Sequence, residues 1–412
     1  MILPVTLDDI EAARRAILGH VLETPALPSP RLSVIAGTEI CIKYENLQPT
    51  GSFKERGALN RLASLTDTEK KRGVVAMSAG NHAQAVAYHA TRLGIASTIV
   101  MPEPTPFVKI AATEAHGARV VLHGETVAEA EARALKFAAD DGLVLVHPYD
   151  DPKVIAGQGT IGLELLEEDP ALDTLIVPIG GGGLISGIAI AAKAMKPDIE
   201  IIGVEAALYP STWNALHGES RPCAGTTIAE GIAVKNTGKL TLPVVKELVA
   251  DVVLAEEVWL ERAVNTFLTL QKTMAEGAGA AGLAAVLADP ERFRGRRVGI
   301  VLSGGNIDPR MAASIMVREL ERDDRIVGYR ISIQDRPGTL GTIATLFGSL
   351  GANILEVHHR RLFLDMPARG ARLDVIVETR DRAHAETIER TLAEKGYAVQ
   401  RIDTGAGGFE TV

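Results

Sequence analysis

Cysteine, aromatic side chains, long apolar runs and an excess of basic charge are all scarce in this 412-residue sequence. The two cysteines, Cys41 and Cys223, lie far apart without CxxC spacing, which argues against a disulfide framework or a cysteine zinc site. The 43 basic residues are outnumbered by 52 acidic ones, so no nucleic-acid partner is expected. Residues 1–15 show neither a signal-peptide nor a membrane-span pattern, and we therefore predict a cytoplasmic protein without a membrane partner.

The composition and the pattern of apolar residues indicate α/β structure. Apolar residues make up 46% of the chain and glycine occurs 40 times, which is typical of a globular protein. The length exceeds that of one ordinary core, so we expect two or three folding units. Short β-branched runs at residues 73–77, 96–101, 118–122 and 174–179 alternate with longer helix-like segments. This alternation predicts parallel sheets wound with helices.

A strongly charged stretch at residues 318–325 separates two regions of different pattern. We predict a catalytic domain at 1–320, a linker at 321–326 and a second domain at 327–412. The elements predicted after the linker are a strand at 329–334, a helix at 337–350, strands at 354–364 and 371–379, a helix at 383–395 and a strand at 397–402. This βαββαβ order is ferredoxin-like.

Four consecutive glycines at 180–183 follow the apolar run at 174–179 and precede an apolar helical segment. A backbone without Cβ atoms can bring several N–H groups onto a phosphate, and the positive end of a helix adds attraction. We therefore favour a phosphate site over a structural turn. The loop does not match a P-loop, but a dinucleotide site stays open because Glu205 follows about where a ribose-binding acid is expected.

A single lysine, Lys54, follows a Pro/Gly turn and precedes the helical run at 58–65. Cations are disfavoured at a helix start, so we expect Lys54 to have a lowered pKa and to be usable as a neutral amine. A neutral amine can form a Schiff base with an aldehyde cofactor. Taken alone, however, Lys54 is better interpreted as an ordinary surface lysine.

Two further segments carry polar groups at predicted element ends. Ser-Ala-Gly-Asn-His at 78–82 opens a helix and suits a carboxylate, although His82 could also be a packing or capping residue. Ser-Gly-Gly-Asn at 303–306 follows a strand at 298–302, at the edge where open α/β sheets bind ligands. That segment alone could also be a turn.

These four segments, in the order in which they follow one another along the chain, resemble the fold type II pyridoxal-phosphate enzymes. Within them, the sequence is similar to the threonine dehydratase branch, which also includes serine racemases and serine dehydratases. The resemblance covers about residues 7–319 and implies two open, twisted parallel-sheet domains, the smaller one, at about 50–150, being inserted in the larger. The C-terminal unit, with Asp-Arg-Pro-Gly-Thr-Leu at 335–340, resembles an ACT regulatory domain.

By this resemblance the cofactor is pyridoxal 5'-phosphate, and Lys54 is the catalytic residue that forms a Schiff base with it. Phe53 is expected near the cofactor ring, Asn81 at its ring hydroxyl and Ser303 at its pyridine nitrogen. The expected phosphate site consists of Gly180, Gly181, Gly182, Gly183 and the backbone of Leu184, and the expected substrate-carboxylate site consists of Ser78, Ala79, Gly80 and His82.

The implied reaction is dehydration and deamination of L-threonine to 2-oxobutanoate and ammonia, with L-serine giving pyruvate. A serine at the pyridine nitrogen would leave it largely unprotonated, which favours prompt β-elimination over transamination. A serine racemase shares nearly every motif and stays an alternative, as does a dehydratase of another β-hydroxy amino acid. A β-replacement enzyme such as a cysteine synthase, and a non-catalytic amino-acid-sensing module, fit the sequence less well.

The resemblance also bears on metals, effectors and assembly. Some relatives bind a divalent cation through a glutamate at the position of Glu205 and a nearby aspartate, but residues 206–211 supply no acid, so we predict no metal. An amino-acid effector such as isoleucine or valine is expected at the C-terminal turns 335–340 and 351–353. That effector would suit isoleucine biosynthesis, although a catabolic role stays open. We expect a homodimer or homotetramer.

Overall fold

The computed structural model describes residues 3–361 and 370–402. The chain divides into two compact units, Met1–Ile307 and Asp308–Val412. This division falls before the helix at Pro309–Arg322, whereas the charge pattern put the change of domain at 321–326. The helix packs on the first strand of the second unit, a tertiary contact that composition does not reveal. The catalytic and regulatory roles of the two parts stay predictions.

Short strands and longer helices alternate along the first unit. Its strands are β1 (Ala26–Pro28), β2 (Glu39–Tyr44), β3 (Val74–Met77), β4 (Ser97–Met101), β5 (Arg119–Leu122), β6 (Val144–Leu145), β7 (Thr174–Pro178), β8 (Glu200–Ala206), β9 (Asp251–Ala255) and β10 (Arg297–Leu302). Its helices are α1 (Leu7–Ile17), α2 (Pro30–Ala36), α3 (Lys54–Ala63), α4 (Asp67–Arg72), α5 (Asn81–Arg92), α6 (Phe107–Ala115), α7 (Val127–Asp140), α8 (Pro152–Glu168), α9 (Gly183–Met195), α10 (Ser211–His217), α11 (Thr241–Leu248), α12 (Glu257–Thr266) and α13 (Gly277–Ala288).

The strands of the first unit form two sheets. The larger sheet has the order β1-β2-β10-β7-β8-β9, and its strands are parallel except for the edge strand β1, which pairs antiparallel with β2. The smaller sheet has the order β5-β4-β3-β6 and is parallel throughout. In sequence the smaller sheet lies between β2 and β7. The α/β class and the two parallel sheets are thereby confirmed.

The centre of the larger sheet is closed on both faces. Strand β7 is buried along its whole length, which explains why its sequence is continuously apolar and does not alternate. Helices α8 and α9 pack together at glycine contacts, where a Cβ on Gly187 would lie only 2.4 Å from the carbonyl oxygen of Ile155. Such contact leaves no space for a larger residue, so the glycines fix how close the helices come.

The second unit is an antiparallel sheet with helices. After α14 (Pro309–Arg322) it contains β11 (Ile326–Gln334), α15 (Thr339–Ser349), β12 (Asn353–Arg360), β13 (Gly370–Glu378), α16 (Arg382–Glu394) and β14 (Ala398–Ile402). The strand order is β12-β13-β11-β14, and the chain order is the predicted βαββαβ. Residues 362–364 of the predicted strand 354–364, and residues 403–412 of the predicted domain, lie outside the described residues. That this unit is an ACT domain stays a prediction.

Among the residues described, no helix combines the length and the apolar character needed to cross a lipid bilayer.

A cluster of buried charges ties helix α3 to the larger sheet and to α8. The guanidinium of Arg56 donates to Glu45 at 2.8 Å and to Glu164 at 2.5 Å. Lys43, on β2, lies 2.8 Å from Glu164 and 2.9 Å from Glu168. Burial alone would raise the pKa of Glu45, but the charge of Arg56 holds that pKa below its ordinary value. Glu45 therefore stays ionised beside Arg56, and these ion pairs fix the start of α3.

Replacing Arg56 with methionine should destabilise the protein strongly, because Glu45 and Glu164 would be left as buried carboxylates without their guanidinium. Breaking a buried ion pair from one side costs ~3–5 kcal/mol. The free energy of unfolding in urea measures this loss.

Arg14 provides the matched control. It makes two hydrogen bonds to Glu167, at 2.6 and 2.7 Å, but the two side chains are 35% and 43% exposed. Arg14→Met should therefore cost only ~0–1 kcal/mol. Equal losses for the two variants would contradict the role given to the buried cluster.

Candidate active site

The four segments singled out in the sequence meet in the first unit, at the carboxyl ends of β7 and β10. Three of them contain the start of a helix, namely α3, α5 and α9, and the fourth directly follows the end of β10. The carboxyl edge of an open parallel sheet is where such folds bind ligands.

The glycine loop is packed from behind by two side chains. A Cβ on Gly181 would lie 2.3 Å from the ring of Tyr149, so no larger residue fits there. Gly182 has a φ of +89°, a left-handed conformation that favours glycine. The hydroxyl of Thr241 donates to the carbonyl of Gly181 at 2.7 Å. The loop leads directly into α9, whose first amides have no intrahelical partners and form a suitable site for a phosphate.

Lys54 is the first residue of α3, so the helix begins four residues before the predicted run at 58–65. Its amine donates to the carbonyl of Pro148 at 2.8 Å. Burial lowers the pKa of Lys54 to about 8, while the negative charge of Glu276 opposes the shift. Removal from water is thus the leading cause of the lowered pKa, and the lowered pKa expected from the sequence is confirmed. A substantial fraction of the amine is therefore neutral at mildly alkaline pH.

Asn81, the first residue of α5, is held from two sides. Its amide nitrogen donates to Oε1 of Glu276 at 2.6 Å, and its amide oxygen accepts from Nδ2 of Asn306 at 2.8 Å. The same nitrogen of Asn306 donates to the carbonyl of Thr50 at 2.7 Å. These bonds join the loop before Lys54, the start of α5 and the segment after β10.

Ser303 lies immediately after β10 and is buried. Its carbonyl accepts from the backbone N–H of Phe53 at 3.1 Å, and Ser52 forms an antiparallel bridge with Gly304. The ring of Phe53 packs against the apolar core of the larger sheet. The segment that carries Lys54 is thus attached by its backbone to the segment that carries Ser303.

In the segment at 78–82, some groups are used in packing and hydrogen bonding within the fold, and others are open to a ligand. His82 is buried, and its Nε2 donates to the carbonyl of Val146 at 2.8 Å. Burial lowers the pKa of His82 to about 3, so the imidazole is neutral. Ala79 packs on the core of the smaller sheet, whereas a Cβ on Gly80 would meet no atom within 4 Å. The hydroxyl of Ser78 accepts from Gly80 at 3.2 Å. Any contact of His82 with a carboxylate would come from its backbone N–H.

Glu205 serves the fold. Its buried carboxylate accepts backbone N–H bonds from Thr212 and Trp213, both at 2.8 Å, and so caps α10. A dinucleotide site would need this carboxylate to accept a hydrogen bond from a ribose, but it already accepts the backbone N–H bonds of α10. The dinucleotide interpretation is therefore not favoured. Within residues 3–361 and 370–402, no group of three or more His, Cys, Asp or Glu side chains is arranged to hold a metal ion.

Sequence reasoning missed the residues that support the site from the sides. Nδ1 of His147 accepts from the backbone N–H groups of Tyr149 and Asp150, which fixes the turn that presents Pro148 to Lys54. Glu276 precedes the glycine-rich start of α13. An acid just before a glycine-rich helix was a usable signal for Glu276, but no sequence signal identifies a backbone carbonyl such as that of Pro148.

The residues present fit an aldehyde cofactor that carries a phosphate. Lys54 supplies a primary amine with a lowered pKa, and the glycine loop is a cradle that side chains would fill. Tyr149 connects the two, because it follows the carbonyl that binds Lys54 and packs on Gly181. Asn81 and Ser303 add a polar amide and a hydroxyl beside the same segment.

Known proteins match the chain along most of its length. The family model described as pyridoxal-phosphate dependent enzyme matches residues 17–304. The L-threonine ammonia-lyase of Thermotoga maritima is 46% identical over 97% of this chain and 100% of its own length. The processed form of threonine deaminase isoform 2 from Solanum lycopersicum is 35% identical, with a TM-score of 0.71, over 76% of this chain and 86% of its own. The serine racemase of maize is 36% identical, with a TM-score of 0.72, over 77% of this chain and 99% of its own. The chain belongs to the family of pyridoxal-phosphate dependent enzymes.

Proposed function

We propose that this protein is an ammonia-lyase that converts L-threonine to 2-oxobutanoate and ammonia, and L-serine to pyruvate. The observation that carries the proposal is the amine of Lys54, partly buried with its pKa lowered to about 8, which is linked to the glycine cradle through Pro148 and Tyr149. The relative named L-threonine ammonia-lyase aligns with 97% of the chain and therefore also with the second unit. The net change is loss of ammonia, because the water that is removed from threonine is taken up again when the ammonia is released.

In this proposal the glycine loop and the first amides of α9 hold the phosphate of pyridoxal phosphate, and Lys54 holds its aldehyde carbon. When bound, the cofactor accepts the electron pair left on the substrate Cα after proton removal. Once the amine of the substrate had replaced Lys54 at the aldehyde carbon, the freed Nζ of Lys54 would be the base that takes this proton, because burial favours its neutral form. Pro148 orients Nζ through its carbonyl oxygen, 2.8 Å away.

The start of α5 is our proposed site for the substrate carboxylate. Gly80 borders open space, and the first amides of α5 are oriented as the positive end of the helix. Ser78 and the backbone of Ala79, Gly80 and His82 would bind the carboxylate. Ser303 would face the pyridine nitrogen; a hydroxyl there, unlike a carboxylate, does not hold a proton on that nitrogen and so favours elimination.

Serine racemisation is the second candidate, because the maize serine racemase aligns over 99% of its own length. Both reactions begin with removal of the Cα proton, so the site geometry supports either. Coverage of the second unit by the relative named L-threonine ammonia-lyase favours the lyase. Measuring the chirality of serine recovered from the reaction separates the two candidates.

We further propose that the second unit binds an amino-acid effector such as isoleucine or valine. Its turn at 351–353 borders a cavity of about 370 Å³, which is lined by Arg325, Gly351, Asn353, Glu378, Thr379 and Arg380. Arginine side chains suit the carboxylate of a free amino acid, and a glutamate suits its ammonium group. An ACT domain, a cytoplasmic location and a dimeric or tetrameric assembly belong to the same proposal.

Lys54→Ala should abolish 2-oxobutanoate formation from L-threonine and the visible absorption of lysine-bound pyridoxal phosphate, because the primary amine is lost. Product assay and an absorption spectrum measure the two effects. Lys71→Ala, which removes an exposed lysine of α4, should behave as the unchanged protein. Retention of the visible band in Lys54→Ala would move the cofactor to another lysine.

Gly181→Ala should weaken pyridoxal phosphate binding by tenfold or more, which corresponds to ~1.4 kcal/mol, because the added Cβ would meet the ring of Tyr149 and displace the loop. Gly180→Ala is the milder comparison, since its nearest contact is 3.2 Å, to the carbonyl of Gly231. Cofactor titration of the apoprotein gives both affinities. Unchanged affinity in Gly181→Ala would argue against the cradle.

Arg380→Ala should remove the response of the enzyme to isoleucine or valine while leaving its activity without effector unchanged. Arg390→Ala, on the exposed side of α16, is the control and should keep the response. Calorimetric binding of each amino acid to the full-length protein, beside activity assays, tests this. Absence of binding and of any change in activity would refute the effector proposal.

A further inference from the structure

The amide group of Asn81 has only one hydrogen-bond donor left for a ligand. Its oxygen accepts from Asn306 at 2.8 Å, and its nitrogen donates one hydrogen to Glu276 at 2.6 Å. A side-chain amide nitrogen carries two hydrogens, so one N–H remains. The two bonds together also settle which end of the amide is oxygen and which is nitrogen.

The carboxylate of Glu276 can contact Asn81 because the residue between them, Gly304, has no side chain. A Cβ on Gly304 would lie 2.4 Å from Oε1 of Glu276 and 3.1 Å from Nδ2 of Asn81. The backbone N–H of Glu276 donates to the carbonyl of Gly304 at 3.1 Å, which fixes the base of the side chain. Glu276 stands at the N-cap of α13 but makes no side-chain capping bond there. Its carboxylate is therefore directed to Asn81 and not to a backbone N–H of its own helix.

We propose that Glu276 is a positioning residue which, with Asn306, turns the Asn81 amide so that its remaining N–H is presented to the ring oxygen of pyridoxal phosphate. The inference rests on the proposed function and extends it to a residue that does not touch the substrate. An amide turned the other way would present its oxygen and repel an anionic ring oxygen. Cofactor affinity should thus depend on an acceptor at position 276.

The charge of Glu276 adds a dependence on pH. Burial raises the pKa of its carboxyl to about 7, whereas the hydrogen bond from Asn81 and the charges of Lys109 and Lys54 lower it. Glu230, which pairs with Lys109, raises it. As the pH falls through about 7, the carboxyl gains a proton and stops favouring the charged form of Lys54. The cofactor absorption should follow this change.

The test uses full-length protein freed of cofactor and titrated with pyridoxal phosphate across a pH range, with absorption as the readout. Glu276→Ala should weaken binding about tenfold and shift the band. Glu276→Gln should stay within about threefold of the unchanged protein, because its amide oxygen still accepts from Asn81, but should lose the spectral transition near pH 7. Glu230→Gln, which removes a nearby charge without touching Asn81, should keep the original affinity.

Gly304→Ala provides a second variant that keeps the carboxylate and pushes it off Asn81, so it should weaken binding as Glu276→Ala does. Thermal unfolding of the apoproteins checks that each variant is folded. Glu276→Ala and Gly304→Ala with the original affinity and band would overturn the inference, as would a Glu276→Gln as weak as Glu276→Ala. Unmodified protein that neither binds the cofactor nor forms 2-oxobutanoate would instead overturn the proposed function.

Discussion

The amine of Lys54 lies against a backbone carbonyl and largely out of water, and the chemistry proposed for this chain depends on keeping it there. In bulk water a lysine is almost fully protonated at neutral pH and is a poor base and nucleophile. Burial brings the pKa of Lys54 to about 8. That burial requires several loops to meet around one side chain, and they can do so because Gly181, Gly182 and Gly304 leave room for close contacts.

The buried charges behind the site serve the same end. Arg56 lies two residues after Lys54 and is bound to carboxylates from two other elements, so the first turn of α3 cannot move independently of the larger sheet. The backbone bond from Phe53 to Ser303 secures the other side of Lys54. A lysine held this way presents its amine in one place, and placement of a reacting group accounts for a large part of enzymatic rate enhancement.

Much of this arrangement was predictable from the sequence. The continuous apolar strand β7 followed by four glycines predicts a phosphate loop, and the order of four motifs identifies the family. The interactions that sequence reasoning missed are tertiary. Burial is the leading cause of the lowered pKa of Lys54. The imidazole of His82 donates a hydrogen bond to the carbonyl of Val146, and Glu276 accepts one from Asn81, which lies 195 positions away in the chain. Spacing along a sequence does not report contacts of this kind.

The central claim, that Lys54 carries pyridoxal phosphate, can be tested by chemical trapping. The protein is incubated with the cofactor, reduced with borohydride, digested and analysed by peptide mass spectrometry. We expect one stoichiometric phosphopyridoxyl group, located on Lys54. Modification spread over several exposed lysines, or concentrated on a different lysine, would contradict the claim.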